Sequence, residues 1–308
     1  MAFPVTSGHP QYAGNFIPEL WAGKLIEKFY DSTVLSAISN TDYEGMIKAQ
    51  GDTVHIRTTP SITIRDYVKG QTLQVERPDS DPLELLIDKG KYFNAVADDV
   101  DVTQSDINMM DAWAQDWSES LKIEVDQDVL TGMLTGIHAS NQGLTAGAKT
   151  ASFNLGTTAS PLTVTKDGAG GTTSIIDLIV DIGTVLDEAN CPETDRYLVL
   201  PAKAVGLIKK SELKDASLSG DGTSIVRNGR VGMIDRFMIY KSHNLYTSSG
   251  KTNIIAGTKR GLTFAAQMTK MENLRAESTF GSLIRGLHVY GYKVVKPEAI
   301  ATSVIQFS

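Results

Sequence analysis

The chain carries a single cysteine, Cys191, among 308 residues. No internal disulfide can staple it, which fits folding in a reducing compartment. It has no basic surplus: 29 Lys and Arg against 36 Asp and Glu leave a net charge of −7. No basic stripe of the kind that marks a dedicated nucleic-acid binder is evident. No stretch approaches the roughly 20 apolar residues that span a bilayer, so no membrane contact is predicted. The start, Met1-Ala2-Phe3-Pro4-Val5-Thr6-Ser7, lacks a basic region followed by an apolar run, so no signal peptide is expected. The five histidines, His9, His55, His138, His243 and His288, are scattered. None has a second histidine or the cysteine at metal-ligand spacing, so each is read as a surface or interface residue.

The motifs that could carry catalysis or cofactor binding are also missing. Ser249-Gly250-Lys251-Thr252 resembles the end of a phosphate-binding loop. However, Leu245 stands where its first glycine belongs, and Asn253-Ile254-Ile255-Ala256 reads as a strand, not the helix that would receive the phosphate. A hairpin turn is expected there. Gly168-Ala169-Gly170-Gly171 and Gly220-Asp221-Gly222 read as loops. Asp98-Asp99-Val100-Asp101 with Asp106 lacks the glycine and terminal glutamate of a calcium loop, since Gln104 and Met110 hold those positions. These acids suit a strand edge and a helix N-terminus. Cys191 precedes Pro192 and has no basic partner nearby, so a packed or loop thiol is expected. No serine sits in a nucleophile elbow. No catalytic residue, metal or cofactor is predicted.

What is present is ordinary globular material, 41% apolar and 21% charged, long enough for two or three core-forming units. Residues 1–15 read as an irregular arm. Ile17-Pro18-Glu19-Leu20-Trp21 opens a short amphipathic helix whose stripe includes Leu20, Trp21, Leu25, Ile26 and Phe29. Asn40-Thr41-Asp42 signals a loop. From Thr53 to Val100 the pattern alternates. Val54 and Ile56, Ile62 and Ile64, then Leu83, Leu85 and Ile87 fall at every second position, and Tyr92 to Val100 adds a further strand. Lys69-Gly70-Gln71 is a polar tip, and Lys89-Gly90 reads as a turn. Arms of roughly 12 to 15 residues would project on the order of 40 to 50 Å. Such a hairpin has too few large apolar groups to bury itself, so it must lie on something else, most simply another copy of the chain.

A long helix is predicted over about 104–137, opened by a capping-box-like Thr103 and Asp106. Its apolar face holds Ile107, Met110, Ala114, Trp117, Leu121, Val125 and Val129, while Asp111, Asp116, Glu119, Lys122, Glu124 and Asp126 mostly take the other faces. Residues 139–173, rich in Ala, Gly, Ser and Thr, read as a surface excursion with a small hairpin. Ile175, Ile179, Ile182 and Leu186 mark a second helix ending near Asn190-Cys191-Pro192. Arg196 to Leu200 is a strand closed by Pro201, and Ala202 to Leu213 a third helix. Ser217 to Gly229 reads as a mobile loop. Strands are expected at 232–240, 253–256, 263–267, 290–295 and 301–307. The class is α+β, without internal repeats.

This order, with several motifs, resembles the major capsid proteins of tailed bacteriophages, which have the Hong Kong 97-like fold. The likeness is carried by Ile17-Pro18-Glu19-Leu20-Trp21, Gly51-Asp52-Thr53-Val54-His55-Ile56 and Lys91-Tyr92-Phe93 running into Val96-Ala97-Asp98-Asp99-Val100. Later it is carried by Arg196-Tyr197-Leu198-Val199-Leu200-Pro201 and by Phe280-Gly281-Ser282-Leu283-Ile284-Arg285-Gly286-Leu287-His288-Val289-Tyr290-Gly291-Tyr292-Lys293-Val294-Val295-Lys296-Pro297. The resemblance implies an N-terminal arm over 1–45, an extended loop over 46–92 and a peripheral domain with a spine helix over 93–138. It implies an axial domain over 174–260 and return strands of the peripheral domain over 261–308, with 139–173 as an added excursion. Asp235 stands where many relatives have a second glycine after Gly232. The N-terminus is too short for a fused scaffolding segment, so a separate scaffolding protein is implied.

The resemblance further implies a structural, non-enzymatic protein in the virion, assembled in the host cytoplasm. Its copies would form pentamers and hexamers of an icosahedral shell, with a portal at one vertex, a possible decoration protein, and double-stranded DNA held by weak non-specific contact. The residues implied to touch neighbours are Trp21, Phe29, Arg65, Tyr67, Lys69, Gln71 and Arg77. Some relatives form a Lys–Asn crosslink from this loop. Lys69 lies near the tip, although a lone lysine on a hairpin usually serves solubility. Two other functions stay open at the level of sequence. An encapsulin-like compartment would share the fold and differ in enclosing protein instead of nucleic acid. A soluble α/β enzyme built on 175–240 would be a small monodisperse species with a pocket.

Overall fold

The structure is a computed structural model that describes residues 33–42, 53–58, 60, 62–78, 82–98, 109–211, 232–276 and 280–307. Among these, the strands in chain order are β1 Thr53–Ile56, β2 Leu83–Leu86, β3 Lys89–Asp98, β4 Leu162–Thr165, β5 Thr173–Ser174, β6 Arg196–Leu200, β7 Met233–Ile234, β8 Phe237–Lys241, β9 Thr247–Ser248, β10 Lys251–Thr258, β11 Leu262–Arg275, β12 Gly281–Val294 and β13 Ile300–Phe307. The helices are α1 Leu35–Ile38, α2 Met109–Gly132, α3 Ile175–Glu188 and α4 Ala202–Lys210.

A mixed sheet runs in the order β5-β4-β13-β10-β6-β8-β7, with β9 paired to β10. Every residue of β6 is buried, because apolar layers cover both faces and alternate side chains serve alternate layers. Leu198 and Leu200, with Ile254, Ala256, Ala301 and Ile305, pack under α3 and α4. Tyr197 and Val199, with Ile255 and Ile300, pack toward α2, where Val125, Val129 and Leu130 meet them, with Met133 just beyond its end. The α3 helix shows why its ends fall where they do. Ser174 accepts a hydrogen bond from the Ile176 amide at its start. At its end Asn190, with φ 55°, closes a Schellman turn in which the Cys191 amide donates to the Leu186 carbonyl and the Asn190 amide to that of Asp187.

A second sheet, in the order β11-β12-β3, is antiparallel throughout. Phe93 packs against Trp117 of α2 with tilted rings, centroids 5.7 Å apart, and Lys91 pairs with Glu124 at 3.2 Å. Tyr290 donates to Asp128 at 2.9 Å. The long helix therefore covers one face of this sheet while its C-terminal half also seals the first sheet. Its 24 described residues span about 36 Å, and a 3₁₀ turn over Met133–Gly136 continues it.

Several sequence expectations need correction. The 232–240 segment is a hairpin, β7 and β8, not one strand. Its two-residue turn places Asp235 and Arg236 at φ 45° and 65°, the geometry of a type I′ turn. That positive φ is the reason a glycine would suit position 235. Lys89-Gly90 does not turn but begins β3, paired with Tyr290 and Val289. The strands predicted at 263–267 and 290–295 are each 14 residues long. The 139–173 stretch is not only a surface excursion: Ala146, Leu155 and Val164 are buried in the first core, and β4 joins the main sheet parallel to β13. Within the described residues the third helix stops at Lys210, not Leu213. Asp126, expected on a polar face, is 1% exposed. The Ser249-Gly250 pair forms the hairpin turn between β9 and β10, both residues at positive φ. The expected mobile loop at 217–229, residues 1–32 of the arm expected over 1–45, and the helix start at Thr103 and Asp106 lie outside the described residues.

Candidate interaction surface

The extended loop is rooted by β1 and β2, paired antiparallel from Thr53↔Leu86 to Ile56↔Leu83. Its buried side chains, Ile56, Leu85 and Ile87, pack with Ala265 and Val289 on the three-stranded sheet. They sit on the face opposite α2. Gly291 makes this seat possible, since a Cβ there would lie 2.1 Å from the Leu86 carbonyl oxygen. Beyond the root the described residues of the two arms carry no ladder, contrary to the strand pattern at Ile62 and Ile64. The tip is as expected: the Gln71 amide donates to the Val68 carbonyl at 3.0 Å, and Gly70 takes φ 88°, as position i+2 of a type II turn requires.

Side chains tie the arms to each other. Arg65 bonds Gln74 and Glu76, and the Thr63 amide donates to Glu76 at 3.0 Å. A hollow of about 270 Å³ lies between them, lined in part by Arg65, Tyr67, Gln71 and Leu73. Of the predicted contact residues, Arg65 and Gln71 thus make bonds inside the loop, Gln71 by accepting from the Val68 amide at 3.2 Å. Tyr67, Lys69 and Arg77 are exposed. Trp21 and Phe29 lie outside the described residues. The most exposed apolar groups, Ile64 at 92% and Val75 at 95%, were not among the predicted contact residues. The period-two spacing of Ile62 with Ile64 and of Leu73 with Val75 was the available signal.

A second surface lies on the three-stranded sheet, on the face opposite α2 and beyond the loop's root. Register places residues there in rows across β3, β12 and β11: Tyr92, Leu287 and Lys270; Asn94, Arg285 and Glu272; Val96, Leu283 and Leu274. The row of Val96, Leu283 and Leu274 is apolar, the row of Tyr92, Leu287 and Lys270 is apolar but for Lys270, and between them lies a polar row with Arg285 and Glu272. Arg285 donates to Glu272 through Nε at 2.8 Å, and Lys270 pairs with the same carboxylate. Hydrogen bonds from Lys270 and then Arg285 hold Glu272 below the ordinary carboxylate range. Tyr92 is 77% exposed, and Val96, Leu274 and Leu287 are also open.

Two buried polar junctions hold the elements that frame these surfaces. Asp126 accepts from the Val34 and Leu35 amides at 3.1 and 2.9 Å and from Asn244 at 2.8 Å. It thereby pins α1 and the turn after β8 to α2. Burial raises its pKa, and the hydrogen bonds from Asn244, Val34 and Leu35 oppose that shift. Arg196, fully buried, bonds Asp187 at 2.6 Å and the carbonyls of Pro192 and Cys191 at 2.9 Å. Burial works to raise Asp187, but Arg196 and Arg236 outweigh it and hold the carboxyl low. Cys191 is half-buried, its thiol 3.1 Å from the Glu298 carbonyl and pushed up by burial. Among the described residues no group of three or more His, Cys, Asp or Glu is disposed to hold a metal, and no helix is long and apolar enough to cross a membrane.

A family model described as phage capsid protein matches residues 84–303. Solved structures are similar over nearly the whole chain. One from Mycobacterium phage Che8 is 26% identical, covers 96% of this chain and 97% of its own, and superposes with a TM-score of 0.76. The capsid of the cyanophage P-SCSP1u is 15% identical over 95% of this chain and 93% of its own, with a TM-score of 0.69. The capsid of a native GTA particle is 14% identical over 96% and 97%, with a TM-score of 0.67. No curated protein matches in sequence.

Proposed function

This chain belongs to the phage capsid protein family and is a structural major capsid protein of the Hong Kong 97-like fold, and from that premise we propose how its parts build the shell. Copies form the pentamers and hexamers of an icosahedral head around double-stranded DNA. The role is architectural, without catalysis. Residues 174–260 form the axial domain near the capsomer centre, 93–138 and 261–308 the peripheral domain, and 46–92 the loop that straps a neighbour. The N-terminal arm, 1–45, clamps through Trp21 and Phe29.

The observation that carries this proposal is the loop itself. It projects from a well-packed root, yet Ile62, Ile64, Tyr67, Val68, Leu73 and Val75 stand largely in solvent. Covering six such side chains would contribute on the order of 10 kcal/mol per loop before ordering costs. Tyr67, Lys69, Arg77 and, after rearrangement, Arg65 and Gln71 supply the polar contacts. The net charge of −7 suits a container that holds its DNA weakly. A separate scaffolding protein guides closure in the host cytoplasm, a portal occupies one vertex, and a decoration protein can bind outside.

The test is electron microscopy and sedimentation of the protein expressed alone and with its scaffold. Closed shells are expected. Deleting residues 59–82 should leave folded monomers or capsomers that no longer close. Normal shells from the deletion would show that the loop is not the strap, and a compact wild-type monomer under all conditions would sink the assembly proposal.

A further inference from the structure

We propose that the outer edge of β11 pairs with the same edge of a second copy, antiparallel and centred on Met271, across a two-fold axis. This rests on the shell assembly proposed above and names a contact that joins one ring of copies to the next. β11 is the end strand of the three-stranded sheet. Its inner end is already occupied: the Asn40 amide donates to the Leu262 carbonyl at 2.8 Å, and the Phe264 amide to that of Asn40 at 2.9 Å. Past the register shift between Ala266 and Met268, no described strand pairs with its outer side. Strand edges are commonly protected by proline or by charges that repel a second edge. The run Thr269-Lys270-Met271-Glu272-Asn273-Leu274 has no proline, and its two charges are opposite in sign.

The ladder fixes which backbone groups face outward. The Ala276 amide donates to the Gly281 carbonyl at 2.9 Å, and hydrogen-bonded pairs alternate with non-bonded ones along an antiparallel ladder. Counted back through the register, Leu274, Glu272 and Lys270 bond β12, whereas Asn273, Met271 and Thr269 turn their N–H and C=O groups to the open side. Centring the contact on Met271 sets Met271 against Met271 of the second copy, and Asn273 against Thr269 of the second copy. Each is then a pair that exchanges both of its N–H···O bonds.

The side chains select the same centre. Residues directly opposed across an antiparallel pair lie on one face. On the open face Lys270 meets Glu272 of the second copy, and Glu272 meets Lys270 of the second copy. Glu272 keeps Arg285 through Oε2 at 2.8 Å, while its Oε1, held by Lys270 of its own chain, can accept from either lysine. Centring on Lys270 or on Glu272 would instead set like charges against each other. On the other face Met271 is 51% exposed, because α2 lies over β3 and β12, and it would be covered by its counterpart. A two-fold contact is isologous, so each half of the pairing repeats the other. The axis stands normal to the sheet, so α2 lies on the same side in both copies, as a shell with an inside and an outside requires.

The experiment is Met271→Cys combined with Cys191→Ser, in full-length protein assembled into shells and treated with a short thiol-to-thiol crosslinker. Denaturing electrophoresis should show a dimer and nothing larger, because a two-fold contact closes on itself, and Cys191→Ser alone should show none. A ladder beyond the dimer would place Met271 in a head-to-tail ring contact, and monomer alone would mean that the edge stands apart or is covered by another segment or protein; either overturns the inference. As a second arm, Met271→Pro removes an outward N–H and leaves the β12 ladder its bonds. The unassembled variant should melt within a few degrees of wild type and still form capsomers, while closed particles fall at least tenfold. Wild-type particle yield from this variant overturns the inference too. If wild type makes shells that require residues 59–82 and these variants behave otherwise than expected, only the β11 contact is refuted. If wild type makes no shells, the assembly proposal itself fails.

Discussion

Replacing Asp126 separates hydrogen bonding from charge at the point where three distant segments meet. Asp126→Ala leaves the Val34 and Leu35 amides and the Asn244 side chain without their acceptor. Each orphaned buried donor costs about 1–3 kcal/mol. Removing the carboxylate also removes its desolvation cost, so the net loss should be about 3 kcal/mol. Asp126→Asn keeps an oxygen for the two amides. Its new amide group faces Asn244, which must flip to accept, giving up the weak 3.4 Å bond from Gln127. The cost should stay within about 1 kcal/mol. Urea unfolding of unassembled protein, with matched m-values, measures both. The pH dependence supplies an independent sign. Asp126 is raised in the fold, so the folded state binds its proton more tightly than the unfolded chain. Its contribution is most favourable at acid pH and falls as pH rises from the ordinary value of about 4 through the raised one, then stays level. Asp126→Asn should therefore gain on wild type across that window and run parallel to it above. An alanine variant within about 0.5 kcal/mol of wild type, or an asparagine variant as weak as alanine, would refute the junction.

Gly291→Ala should loosen the loop root, because the new methyl meets the Leu86 carbonyl oxygen at 2.1 Å. Hydrogen exchange at β1 and β2 should rise while α3 and β6 stay protected. Arg196→Met should cost about 2–3 kcal/mol in urea unfolding, since it leaves the carbonyls of Pro192 and Cys191 without their donor, while Asp187, partly exposed, keeps Arg236. Asp187 is lowered in the fold, so its stabilisation is present above the ordinary carboxylate pKa and is lost as pH falls through the lowered one. Asp187→Asn should flatten that part of the acid limb. Ser174→Ala, removing the cap of α3, should cost about 1 kcal/mol by thermal or urea unfolding.

The elements that read cleanly from the sequence are those whose burial is one-sided and local. Ile175, Ile179, Ile182 and Leu186 face one core along a single helix, so a 3.6-residue period survives in the sequence. Val54, Ile56, Leu83 and Leu85 alternate because β1 and β2 seat one face on the sheet beneath them. The long strands β11 and β12 did not read cleanly. Their inner ends lie between layers, and their outer ends bury only one face, so no single period runs through either. The turn at Asp235 and Arg236 was hidden for a different reason, since neither residue advertises positive φ as glycine does.

The sequence by itself determined the class of the protein and, among the described residues, the order of loop root, long helix and returning strands. Local patterns suffice for that, because period and turn chemistry act over a few residues. Only the tertiary structure decided where the consequential groups meet. Asp126 is buried because its donors come from 92 and 118 residues away. Tyr92, Arg285 and Leu274 share one open face because antiparallel register, fixed by packing against α2 and the loop root, sets strands from distant parts of the chain side by side.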